Sequence, residues 1–254
     1  MNKRKTKKNK TADKSPTEDA LIVPTNFQVR TLADRLADVV REQIILGEIA
    51  PGIAIKQDVL AAKLNVSKIP IREALSRLEQ DGIVHSIPNR GFVATSMTTA
   101  EAEEVFALRL QIEPDAAARG AKGATQSDRK DVKMILSNLA RASQRGESTV
   151  GLLHRNFHLA LVKPAGRDLT LNLTARLHVI AERYVRKHLE PPGRPGRAQD
   201  EHYEMLDAWC AGDGSTVRRL MRLHIKQTAQ ELRQELKTIE RAVPALKRAS
   251  RLRK

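Results

Sequence analysis

The sequence predicts a mainly α-helical protein in two parts: a small helix-turn-helix unit closed by a two-stranded hairpin, then an antiparallel bundle of about six helices. Three observations carry this. Apolar residues recur at helical spacing through most of residues 31–240. The exception is a pair of short strand-like runs, 83–86 and 92–95, around the turn Asn89-Arg90-Gly91. The breakers in the later helical pattern, at 164–166, 191–196 and Gly212, are short enough to make successive helices antiparallel neighbours.

Residues 1–26 are polar, lysine-rich and interrupted by Pro16 and Pro24, so they read as a disordered basic tail. From Thr31, the residues Leu32, Leu36, Val39, Val40 and Ile44 form the stripe of an amphipathic helix that stops near Gly47. A Pro51-Gly52 turn follows, then a short apolar run, 53–55, suited to a small strand. A second helix spans residues 57–64 with Leu60, Ala61 and Leu64 inward. The turn 65–67 joins it to a third helix within NVSKIPIREALSRL, which is helix-turn-helix spacing. Ser67 is placed as its N-cap, with a hydroxyl able to accept from the free amides of the first turn. Pro70 falls in that turn, where a missing N–H costs nothing. Ile71, Ala74, Leu75 and Leu78 face a core, leaving Lys68, Arg72 and Ser76 outward, as a helix entering a DNA major groove requires. Asp81 and Gly82 end this helix. In the hairpin beyond, Gly91 permits a tight turn and Arg90 is placed to reach phosphate or a minor groove. Residues 27–97 thus form the first unit.

Residues 98–240 read as the bundle. Its helices are expected at 99–121, 127–145, 149–162, 168–188, 198–211 and 213–236, the first running through Val105, Leu108, Arg109, Ile112 and Ala116, the second with Val132, Ile135, Leu136 and Leu139 inward. Residues 241–254 carry six basic side chains and no acid, and read as a basic C-terminal tail.

Composition narrows the function. The 254 residues include 45 Lys+Arg against 30 Asp+Glu, a net charge of +15 that favours polyanionic partners. The two tails supply much of that excess, so charge alone does not argue for specific binding. Aromatic residues are 3%, which argues against a stacking platform for single strands. A lone cysteine, Cys210, excludes an intramolecular disulfide and suits a reducing compartment. No apolar run approaches the roughly 18 residues of a membrane span, and the basic N-terminus lacks the apolar stretch of a signal peptide. A cytoplasmic location is expected.

The run from Ala33 to Thr95 resembles the winged-helix domain of the GntR family of bacterial transcription regulators. The PG turn after the first helix, the VSKIPIREAL core, the DGIV strand and the RGF hairpin stand in register over about 65 residues. The resemblance implies a DNA contact set of Ser67, Lys68, Arg72, Arg90 and Gly91. Two positions depart from it: Lys68 stands where arginine is common, and Asp58 where some members carry a DNA-contacting arginine. Lysine cannot fork onto a guanine edge as arginine does.

His154 and His158 are four apart on one expected helix, so both rings leave the same face and could hold one metal. Each could equally be a core or surface histidine. The segments Arg109 with Glu113, Phe157-His158, EHYEMLDAWCAGD and RLHI resemble the FCD effector domain of FadR-like GntR regulators. That resemblance implies a divalent metal held by three histidines and an aspartate. The histidines match His158, His202 and His224, and the aspartate position carries His154. An all-imidazole set suits zinc or nickel, with three ligands and an unbound His154 as the alternative. Arg109 is a candidate receptor for an effector carboxylate, the alternative being an internal pair with Glu113. Arg183 and Arg186 are fainter candidates on a face that reads as solvated, and Trp209 and Cys210 read as core.

The function implied is a homodimeric regulator, expected to be a repressor, that binds a palindromic duplex operator and responds to a small organic acid. Two other classes were weighed. A metalloenzyme would need a general base, but His154-Arg155-Asn156-Phe157-His158 has the spacing of a zinc-protease motif without its glutamate. A metalloenzyme would also leave the hairpin unexplained. A nonspecific basic DNA-binding protein would hold all duplexes equally, with a steep salt dependence.

Overall fold

The computed structural model describes residues 30–96, 98–189 and 194–251, with side chains described at 30–96, 98–184 and 196–237. From Leu32 onward the described chain forms one compact unit with two hydrophobic cores.

The first core belongs to three helices and a hairpin: α1 (Leu32–Ile45), α2 (Gln57–Leu64), α3 (Lys68–Gln80), β1 (Val84–Ile87) and β2 (Gly91–Ala94). Leu36, Val40 and Ile44 of α1 meet Ile71, Leu75 and Leu78 of α3, all nearly or fully buried, as the apolar spacing requires. Arg41 donates to Asp81 at 2.8 Å and so ties α1 to the end of α3. Asn65 ends α2 in the left-handed region, at φ 52°, and its amide bonds back to Ala62. Ser67 occupies the N-cap position of α3, but its side chain makes no capping hydrogen bond, which corrects the role expected of its hydroxyl. The strands pair antiparallel, Val84 with Ala94 through Ile87 with Gly91, across a turn in which Asn89 and Gly91 both take positive φ. The expected strand at 53–55 is reduced to one bridge, Ala54 to Val93.

The second core fills α4 (Thr99–Gly123), α5 (Gln126–Gln144), α6 (Val150–Val162), α7 (Asp168–Leu189), α8 (Arg194–Cys210) and α9 (Gly214–Arg251). The six expected helices are all present. α8 begins four residues earlier than expected because Pro195 is tolerated in a first turn. α9 continues to Arg251, so the helix runs on through most of the segment read as a tail. The N-terminal tail at 1–26 lies outside the described residues. Thr98 accepts from the Glu101 amide and caps α4, and Thr125 with Asp128 forms a reciprocal capping box on α5.

One close approach fixes the bundle. A Cβ on Gly120 of α4 would lie 2.0 Å from the backbone oxygen of Leu161 in α6, so only glycine lets these helices meet. The same oxygen accepts from Trp209 Nε1 of α8 at 3.0 Å. Trp209 is fully buried, and Cys210 is partly buried beside it.

Candidate metal centre and nucleic-acid interface

His154 and His158 lie one turn apart on α6, His202 is on α8 and His224 on α9. The fold turns all four inward, and all are buried. Their ring centroids stand 4.6 Å apart for His154 and His158, 5.2 Å for His154 and His202, and 4.8 Å for His202 and His224. One ring nitrogen from each falls within 4.8 Å of the others. Both nitrogens of His158 and Nε2 of His202 have no hydrogen-bond partner although fully buried. Orphaned buried acceptors are costly unless something satisfies them, and a divalent ion would do so. The four expected metal residues therefore fit one ion.

Protonation favours the same reading. Burial, reinforced by the neighbouring imidazoles, holds His154 and His202 well below the ordinary histidine value. Burial pushes His158 down to about 3 despite the raising influence of Glu113. These rings are neutral at physiological pH and would meet an ion without a bound charge to lose. His224 Nδ1 lies 2.6 Å from Glu201, which orients the ring and leaves Nε2 for the centre of the cluster. Burial raises the Glu201 carboxyl, but the His224 bond and Arg197 bring it below the usual range.

Two further residues join the cluster. Glu113 is fully buried and lies 3.1 Å from His178 Nε2 and 3.6 Å from His158 Nδ1. Burial pushes its carboxyl up, but the Arg109 guanidinium and His178 more than reverse this, leaving it well below the ordinary value. Arg109 donates through Nε at 2.5 Å and Nη2 at 3.3 Å to the two Glu113 oxygens, and Nη2 also stands 3.3 Å from His178 Nε2. Arg109 is thus at the wall of the histidine cluster, with its fork on Glu113. The sequence reading missed His178. It lies on the inward stripe of α7 with Thr174, Leu177 and Ala181, a periodicity that could have found it.

A part-buried ion pair packs behind the cluster. Arg155 of α6 donates to Glu182 of α7 at 2.7 Å, and the approach needs Gly151, whose Cβ would sit 2.7 Å from Glu182 Oε1. Arg183 is buried rather than solvated, with its guanidinium near the Tyr184 ring and 3.5 Å from Glu101. The Arg186 side chain lies outside the described residues. Tyr184 accepts from the Thr98 amide at 3.1 Å and also bonds Glu101.

On the other part of the molecule, Ser67, Lys68, Arg72, Arg90 and Gly91 are all exposed, the first three in or beside the first turns of α3 and the last two at the hairpin turn. Lys68 forms an ion pair with Asp58 of α2, Nζ to Oδ1, at 2.5 Å. Arg72 and Arg90 have no ion pair among the described residues.

Comparison with known proteins agrees with this arrangement. Residues 32–93 match the pattern of bacterial regulatory proteins of the gntR family, and residues 104–227 match the FCD domain. The chain is a GntR-family transcriptional regulator. Its FCD domain contains the whole histidine cluster. Among curated relatives of this GntR protein, the HTH-type transcriptional repressor RspR of Escherichia coli K12 is 25% identical over 197 residues, 77% of this chain and 86% of RspR. The repressor GlaR of the same strain is 27% identical over 195 residues, 73% of this chain and 88% of GlaR. Among solved structures, E. coli McbR/YncC superposes with a TM-score of 0.70 at 21% identity, covering 81% of this chain and 98% of the other. A GntR regulator from Rhodococcus sp. RHA1 gives 0.66 at 22%, covering 79% and 96%. Both show the same fold. These relatives are regulators, not enzymes, and the metalloenzyme reading is set aside. No described helix is long and apolar enough to cross a membrane.

Proposed function

We propose that this GntR regulator is a cytoplasmic homodimeric repressor that binds a palindromic operator and is controlled by a small carboxylate metabolite in a metal-containing bundle. His154, His158, His202 and His224 hold the ion, with zinc or nickel suited to imidazole ligands. The metal supplies a Lewis-acidic point that can take an effector oxygen. Arg109, steered by Glu113 and close to His178, lines the same cluster and receives a carboxylate only if its fork shifts from Glu113. On the DNA side, Arg72 reads a base edge, Lys68 and Arg90 contact phosphate or groove, and Ser67 and Gly91 let the backbone approach.

The observation that carries this reading is the meeting of four buried imidazoles from three helices, with a ring nitrogen of each within 4.8 Å of the others and nitrogens of His158 and His202 left without a hydrogen-bond partner. Calorimetric titration of metal-free full-length protein with zinc and with nickel tests it. One site per chain is expected, lost in His158→Ala and in His202→Ala. Absence of binding by either ion rejects the metal centre.

A further inference from the structure

Asp58 and Lys68 join the N-terminal turns of the two helices that form the reading head. Asp58 is the second residue of α2, Lys68 the first of α3, and the two side chains are 73% and 68% exposed while only 2.5 Å apart. Each end of the pair is placed by helix electrostatics. A carboxylate in a first helical turn lies in the favourable field of the free amides, and α2 has no side-chain cap of its own. An ammonium in a first turn lies in an unfavourable field, so Lys68 gains from a nearby anion.

The consequence for DNA follows from what each group does alone. A free lysine at a helix N-terminus is a point charge that attracts any phosphate, and the amides of α2 would do the same. Asp58 cancels both attractions. On docking, a carboxylate is repelled by every phosphate and accepts only from a base amino group, while Lys68 seeks base acceptors. The major-groove edge of a base pair offers both, acceptors beside an amino donor, in an order across the groove that differs between G·C and A·T, whereas a phosphate offers acceptors alone.

Resting on the assignment of this face to DNA, we infer that Asp58 is a specificity-determining residue: it withdraws Lys68 from indiscriminate phosphate binding, so that the Asp58–Lys68 pair docks productively only against a base pair whose amino donor and acceptors match its two charges. Sequence discrimination is then obtained by weakening the interaction with all other DNA.

The test uses full-length protein and duplexes selected by it from a random pool, with a scrambled duplex of equal length as reference. Asp58→Asn keeps shape and removes the charge, and thermal melting checks that it folds. Expected is a scrambled-duplex affinity raised by about threefold to tenfold, with a salt dependence steeper by about one counterion per reading head. A second selection with Asp58→Asn should lose one fixed base-pair position per half-site. In a Lys68→Met background the same exchange should change the salt slope by clearly less, since only the α2 amides are then unmasked. The inference is overturned if Asp58→Asn alters neither scrambled affinity nor slope, if the slope changes equally without Lys68, or if both proteins select the same sites. A wild-type selection that enriches no sequence overturns the DNA-face assignment as well, and so separates the two failures.

Discussion

His178 and Val179 are consecutive residues of α7 that enter different cores. His178 stands 3.1 Å from Glu113 beside the histidine cluster, whereas Val179 is buried among Leu36, Val40 and the other apolar residues of the winged unit. A glycine of the winged unit, Gly82, has the Ile180 side chain within 3.6 Å of where its Cβ would be. A small rotation of α7 cannot move one of these contacts without the other, because packed interiors have little slack.

Val179→Ala therefore uncouples the two parts. The truncation should lower stability by about 1–3 kcal/mol, seen in urea denaturation. Zinc affinity by calorimetry should stay unchanged, while the zinc-dependent change in duplex affinity shrinks. An undiminished zinc effect on DNA binding would remove α7 from the route.

Arg72→Ala tests the reading head independently of the bundle. Arg72 is exposed on the outward side of α3, and a bidentate base contact is worth about 1–3 kcal/mol. A mobility-shift titration on a selected duplex should show the corresponding loss, with scrambled duplex much less affected. Equal losses on both would make Arg72 a phosphate contact.

Glu113→Gln examines the wall of the cluster. The exchange removes the charge that compensates a fully buried guanidinium, and breaking such a pair from one side costs about 3–5 kcal/mol. It also removes the carboxylate beside His158, which should weaken zinc binding by about tenfold to a hundredfold. Denaturation and zinc calorimetry read the two effects separately, and unchanged stability would mean that Arg109 finds another partner.

Acid should destabilise the metal-free chain in a defined window. His154, His158, His178 and His202 all have folded values below the ordinary 6.5, with His158 at about 3. Below pH 6.5 the unfolded chain takes up protons that the folded chain refuses, so stability is full above that value and falls towards pH 3. The melting temperature of metal-free protein should drop steadily through this range. A flat profile between pH 6.5 and 4.5 would show these rings to be solvated.

Much of this was legible in the residues. The stripe of Ile71, Ala74, Leu75 and Leu78 located α3, and the spacing of His154 and His158 placed two rings on one face, because periodicity reports which side of a helix meets a core. His178 escaped although it lies on the inward stripe of α7, because a stripe reports burial and not the partners, here from α4 and α6, that a buried histidine meets. The same is true of Arg183, whose long polar side chain reads as solvated until Tyr184 and Glu101 close over it. Ser67 shows the opposite limit: the residue type marked the right boundary, yet its hydroxyl makes no cap bond. The Asp58–Lys68 pair was visible only as two separate departures from a pattern until the turn between α2 and α3 brought them together.

The four rings facing one another on α6, α8 and α9 carry no carboxylate among them. A dication held there would keep most of its charge, since Glu201 reaches it only through the His224 ring and Glu113 is already balanced by Arg109. Electroneutrality would then be completed from outside, by an anion entering with or after the ion. In that arrangement the metal and the acidic metabolite each raise the other's affinity, and the regulator responds to their joint presence.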